Sequence, residues 1–189
     1  MRTMPAVLTR RRNRGTTLIE VLVTVAILSI GLMPLLALQA RLEIAGLEAY
    51  QRAQALVLLE DMASRIANNR AAAAGYVTTT PVGAGVTCPS TSTTRQQIDL
   101  KEWCDALQGA SETSASSRLG AMLGGRGCIA SLGNGDYLLT VAWQGMGPIA
   151  APPAGVACGK DSYNGDTGTP CANDQCRRTV TTLIRFAAL

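Results

Sequence analysis

Apolar and polar positions divide the chain into three regimes. The first fourteen residues mix arginine with small and apolar residues and show no period. From Val21 to Ala40 the chain carries no charge at all. A helical run of that length spans roughly the 30 Å of a bilayer core. Beyond it a 3–4 period sets in. Leu42, Ala45, Ala49, Ala53, Leu56, Leu59, Ala63 and Ile66 form a stripe that Arg41, Glu43, Glu48, Arg52, Glu60 and Arg65 mostly avoid. This predicts an amphipathic helix that lays one face on a domain. With Gly31 and Gly46 as the only glycines, one helix is predicted from Thr16 to about Asn69, about 80 Å long. Pro34 lacks an N–H and is expected to kink it or loosen one turn. Asn68-Asn69-Arg70 and Gly75 read as its end.

The remainder reads as helical turns and a small antiparallel sheet. Tyr76 to Cys88 is loop with a short extended piece, and Asp99 is placed to cap a helix through Trp103, Cys104 and Leu107. Ser114 to Leu123 reads as a further turn or two of helix. Asn134-Gly135 is a hairpin signal joining strands Cys128–Leu132 and Asp136–Trp143. Arg178 to Phe186 alternates as a last strand. Gly145 to Cys176, dense in Gly, Pro, Asn and Asp, is a loop long enough to need covalent help. The fold class is α+β, and the chain divides into residues 1–15, an apolar helix over 16–40, an amphipathic helix over 41–70 and a globular domain over 71–189.

Charge refines this picture. Arg2, Arg10, Arg11, Arg12 and Arg14 hold five of the 17 basic residues, and no acidic residue accompanies them. Arginines beside a membrane span stay cytoplasmic, so the C-terminal domain is expected outside. Without residues 1–15, 12 basic side chains face 13 acidic ones, which argues against a broad nucleic-acid footprint. In an oxidising compartment the six cysteines, Cys88, Cys104, Cys128, Cys158, Cys171 and Cys176, are most simply disulfides. Cys88 with Cys104 is the expected pair, worth about 3 kcal/mol in the chain-entropy model; the other four fall in or beside the long loop.

Candidate chemistry concentrates at Arg14-Gly15-Thr16-Thr17-Leu18-Ile19-Glu20. A carboxylate at the mouth of a bilayer-length helix is costly, on the order of 2.5–3.5 kcal/mol at the membrane centre. No small-residue cleavage site follows the apolar run, as a secretory signal requires. The small residue at the composition break is Gly15, ahead of it. Cutting there would free the amine of Thr16, four residues from Glu20 and on the same helix face.

These residues resemble the class III signal of type IV pilins and pseudopilins. The resemblance implies that a prepilin peptidase cuts after Gly15 and methylates Thr16, where the family usually has Phe. It implies that Glu20 is the assembly glutamate. Glu60-Asp61-Met62-Ala63-Ser64-Arg65-Ile66-Ala67-Asn68-Asn69-Arg70-Ala71-Ala72 resembles the D-M-A-x-R-x-x-x-N-R-A-A run of PilV-type minor pilins, as does Ile27-Leu28-Ser29-Ile30-Gly31-Leu32. Gly124-Gly125-Arg126-Gly127-Cys128-Ile129 and Tyr137 to Trp143 match in part. The implied function is a minor pilin supporting pilus initiation or assembly, and thereby adhesion or twitching. A type II secretion pseudopilin, or a DNA-capturing pilin at the filament tip, is the alternative. The implied partners are the prepilin peptidase, other major and minor pilins, and the inner membrane before assembly; after assembly the protein is in the pilus.

Other chemistry finds little footing. The chain has no histidine, which removes Ser-His and Cys-His catalysis. No cofactor motif occurs. Cys171-x4-Cys176 lacks a histidine partner for zinc, and Asp161, Asn164 and Asp166 match no EF-hand loop, so they read as a solvated turn. Arg177-Arg178 reads as an ordinary strand-edge charge pair. The surface risk for DNA binding is that Arg118, Arg126, Lys160, Arg177 and Arg178 converge in space.

Overall fold

A computed structural model describes residues 15, 17–90, 93–109, 113–114, 117–118 and 122–186. The elements in order are α1 (Leu18–Asn68), a 3₁₀ helix (Arg70–Tyr76), β1 (Val82–Gly83), α2 (Arg95–Leu107), β2 (Thr113–Ser114), β3 (Ser117–Arg118), β4 (Arg126–Gly133), β5 (Asp136–Gln144) and β6 (Arg177–Arg185). They form two compact units, one ending at Glu43 and the other beginning at Ile44.

In the first unit α1 is apolar on every face, with Leu18, Ile27, Ile30 and Met33 all at least 65 % exposed. It is long and apolar enough to cross a membrane, and none of its most hydrophobic window is buried. Its hydroxyls cause no conflict with that. Thr24 Oγ1 donates to the Val21 carbonyl and Ser29 Oγ to the Val25 carbonyl, so both are satisfied within the helix. The helix continues through Pro34 without a break.

The second unit is built on an antiparallel sheet in the order β1-β4-β5-β6. The β4–β5 turn is Asn134-Gly135, with φ of 54° and 81°. Two consecutive positive φ values are what a two-residue hairpin turn requires. One face of the sheet meets α1. Ala55, Leu59, Met62 and Ile66 share a core with Ile129, Leu139, Val141 and Trp143, each burial worth roughly 1.5–3 kcal/mol for the larger side chains. Helix α2 adds Trp103 and Leu107, and the Trp103 indole donates to the Leu58 carbonyl at 2.9 Å.

Trp103 lies so close to β4 that Gly127 is the residue that admits it. A Cβ at Gly127 would overlap the Trp103 ring and approach Leu107. Gly127→Ala is therefore expected to lower stability by about 2–3 kcal/mol, at the upper end of ordinary overpacking, because an indole wedged between helix and sheet cannot swing aside. A denaturant midpoint unchanged by the substitution would contradict this.

The opposite face of the sheet is crossed by the long 145–176 segment. Cys128 on β4 is bonded to Cys158 in that segment, and Cys158 and Tyr163 pack on Ala142. The Tyr163 hydroxyl donates to the Gly124 carbonyl at 2.8 Å, and the Arg126 guanidinium lies 5.1 Å from its ring centre. Cys171 is bonded to Cys176, and Cys88 to Cys104, the pair expected from the sequence.

Four expectations are corrected. The buried face of α1 is Gln51-Ala55-Leu59-Met62-Ile66, not the full stripe: Ala45, Ala49, Ala53 and Leu56 are exposed, and Ala63 is half-buried. The helix carries two adjacent apolar faces, and its period alone cannot say which one meets a sheet. Asp99 does not cap α2. Thr94 does, through a capping box with Gln97, and Asp99 lies inside the helix. Within Ser114–Leu123, Ser114 and Ser117–Arg118 are strand rather than helix, with Ser114 paired to Ser117, and Leu123 is in a turn. Arg177 and Arg178 are not edge charges but are buried, 3 % and 9 % exposed. Asp161, Asn164 and Asp166 are exposed, with Asp161 in a turn and Asp166 at a bend.

Candidate functional site: the N-terminal motif and its support

The start of α1 is defined by Thr17. Its hydroxyl accepts from the Glu20 N–H at 3.3 Å, and its carbonyl from the same N–H at 3.0 Å. Thr17-x-x-Glu20 thus places a hydroxyl cap at the first residue outside the helix and a carboxylate in the first turn. A carboxylate is favoured there by the helix dipole. Glu20 is exposed and makes no ion pair among the described residues. Gly15 is exposed as well, and a Cβ added to it would meet nothing within 4 Å. Among the described residues nothing packs closely enough to require glycine at this position. Gly31 and Gly46 are equally open. Thr16 and residues 1–14, including Arg2, Arg10, Arg11, Arg12 and Arg14, lie outside the described residues.

The far end of α1 is held by an ionic cluster. Asp99, 1 % exposed, accepts from Arg65 at 3.0 Å, pairs with Arg95 at 2.9 Å and accepts from the Tyr76 hydroxyl at 2.6 Å. Arg65 also pairs with Asp61 and Glu102, and Asn69 donates to the Tyr76 oxygen at 3.1 Å. Burial works against the charge of Arg65, but Glu102, Asp99 and Asp61 outweigh it and hold the guanidinium above the ordinary arginine range. Burial first, and then Asp99, push the Tyr76 hydroxyl above the usual tyrosine range, so it remains a donor. The cluster joins α1, the 3₁₀ helix and α2. The sequence reading missed it, although Asp61/Arg65 and Arg95/Asp99 are each four apart and so were visible as helix pairs.

A second tie lies one sheet edge away. Glu48 on α1 accepts from Arg178 at 3.1 Å and from the Met146 N–H at 2.9 Å. Arg177 pairs with Asp174 at 3.2 Å and donates to the carbonyls of Val156 and Cys158. Asp174 in turn accepts from the Asp161 N–H at 2.8 Å. Both arginines act as internal fasteners, and Arg126 is engaged with Tyr163, so these three are not free surface charges; the side chain of Arg118 lies outside the described residues. Among the described residues no group of His, Cys, Asp and Glu is arranged to hold a metal.

Residues 10–36 match a family model, the prokaryotic N-terminal methylation motif. The match covers Arg10 to Arg14, Gly15, Glu20 and the apolar segment through Leu36. This motif is typical of type IV pilin and pseudopilin precursors; it is a prepilin peptidase cleavage site, and the proteins that carry it are structural. It indicates a type IV pilin-like or pseudopilin protein, and with the exposed apolar helix it fits anchoring in the inner membrane before assembly. Comparison with curated proteins and with solved structures gives no match.

Proposed function

We propose that the chain is a minor type IV pilin of the PilV type, a subunit that supports initiation and assembly of a pilus and thereby adhesion or twitching. The observation that carries the reading is the apolar first part of α1, exposed on every face, with an exposed carboxylate in its first turn five residues after a glycine against which no described atom packs. A side chain set there at such a cost serves another molecule. In this proposal residues 1–15 are the removed leader, and residues 16–40 cross the membrane before they enter a filament core of like helices. Residues 41–70 carry the domain of residues 71–189, which faces the periplasm and then the cell exterior. Prepilin peptidase and other pilins are the partners, no nucleic acid is expected, and the protein is not an enzyme. The run from Glu60 to Ala72 favours the pilus over a secretion system. The internal pairing of Arg177 and Arg178 counts against a DNA-capturing tip.

Processing between Gly15 and Thr16 is the test. Mass spectrometry of the membrane-extracted protein is expected to show a chain beginning at a methylated Thr16. A mature chain that retains Arg10 to Arg14, or one cut beyond Ala40, would sink the proposal.

A further inference from the structure

Within the second unit a cleft of about 580 Å³ opens between α1, at Glu48 and Arg52, and the adjoining ends of β5 and β6, at Trp143, Arg177 and Arg178. The segment Ile149–Pro153 forms its other wall. The volume falls in the roughly 300–1,000 Å³ range of small-ligand sites. We propose that this cleft binds a carboxylate carried on a short apolar stem.

The argument is an account of donors and acceptors. Glu48 is committed to Arg178 and to the Met146 N–H. Arg178 also donates to the carbonyls of Gly147 and Gln175. Two donors remain over. Arg52 is exposed and forms no ion pair among the described residues. The indole N–H of Trp143, a residue of the cleft lining, has no acceptor, although the residue is only 3 % exposed. A buried donor without an acceptor is costly. Arg177 stands opposite Gln144 in the sheet and turns its guanidinium to the other face, where Asp174 and the carbonyls of Val156 and Cys158 hold it. Arg52 and Arg178 against one glutamate leave the lining positive. A complementary ligand therefore brings acceptors and negative charge, and guanidinium groups match carboxylates in shape as well as sign. The wall of Ile149, alanines and two prolines offers no polar side chain, so the group next to the carboxylate is apolar. A free organic acid and a carboxylate of a neighbouring polypeptide both have this chemistry.

The two tryptophans supply the test. Full-length protein labelled with ¹⁵N-tryptophan, in detergent micelles, has two indole N–H signals, assigned by Trp143→Phe. Trp103 is bonded to the Leu58 carbonyl and serves as the internal reference. Titration with hexanoate and with N-acetyl-Ala-Ala-Leu is expected to shift the Trp143 signal saturably and leave that of Trp103 in place. Equal affinities identify a free acid as the source, and tighter binding of the peptide identifies a polypeptide. The peptide amide and inorganic phosphate are expected to have no effect, the first lacking charge and the second an apolar stem. Arg52→Gln, at an exposed position, is expected to weaken binding by about tenfold, as loss of a charge-assisted hydrogen bond does. The site is overturned by any of four results: no saturable shift up to about 10 mM of either acid, well above the millimolar affinities of the weakest specific ligands; an equal response to the amide or to phosphate; shifts of both indoles together; or unchanged affinity in Arg52→Gln.

Discussion

Asp99→Ala is expected to destabilise the domain by about 3 kcal/mol, near the lower end of what removing one member of a buried ion pair costs. The reasons are in the neighbours. Arg65 keeps Asp61 and Glu102, and Arg95 has a side chain 63 % exposed, so neither cation is stranded. The Tyr76 hydroxyl is different. Tyr76 is fully buried, and without Asp99 its proton has no acceptor. Asp99→Asn restores an acceptor for Tyr76 without the charge and is expected to recover part of the loss. Tyr76→Phe removes the proton as well as its need, and is expected to cost only about 1 kcal/mol. Urea unfolding of the full chain in detergent, followed by tryptophan fluorescence, gives all three values. A loss under about 1 kcal/mol for Asp99→Ala would show that the cluster is a surface-type ion pair without structural weight.

Glu20→Ala is expected to separate stability from assembly. The residue is exposed and touches no core side chain, so the urea midpoint of the domain should not move. Loss of a carboxylate from the first helical turn costs about 0.3–1 kcal/mol locally, too little to unfold a helix of 51 residues. Removal of charge from the membrane segment favours residence there. If Glu20 pairs with the amine of an incoming subunit, the amount of this protein in sheared pili should fall about tenfold or more, as expected when an apolar filament core loses an ion-pair partner. Thr17→Val separates the two roles, since it removes the cap and leaves the carboxylate. Wild-type incorporation of Glu20→Ala, or an equal defect in Thr17→Val, would reduce Glu20 to part of the helix start.

The apolar start of α1 was legible because a single physical requirement governs it. A segment that is apolar on all sides needs no knowledge of a partner face, so a helix there could be read directly. Asn134-Gly135 was legible for a similar reason: its backbone demands are local. Cys88 and Cys104 pair as expected, but nothing in the sequence selected among the fifteen possible pairings, and Cys171–Cys176, nearer neighbours still, were not singled out. Where a reading required knowledge of what lies opposite, it failed. The stripe from Ala45 to Leu56 is a genuine apolar face, yet the sheet covers the neighbouring one through Ala55 and Met62. Asp99 had the composition of a cap, but a threonine–glutamine box five residues earlier already filled that role. Arg177 and Arg178 looked like solvent charges because their partners, Asp174 and Glu48, lie respectively in a loop and 130 residues away.

That last separation bears on when the domain can form. The face of α1 from Ala55 to Ile66 is synthesised early, but its cover includes Val180 and Ile184 on β6, the final strand. Glu48 likewise waits for Arg178. Contacts so distant along the chain slow folding, because the closure of a long loop precedes any return from it. The central strand β5 has its outer partner only when β6 arrives. Folding of this domain is thus a late event, gated by completion of the C-terminus, and chains shortened before Arg177 would be left with an uncovered helix and an unzipped sheet.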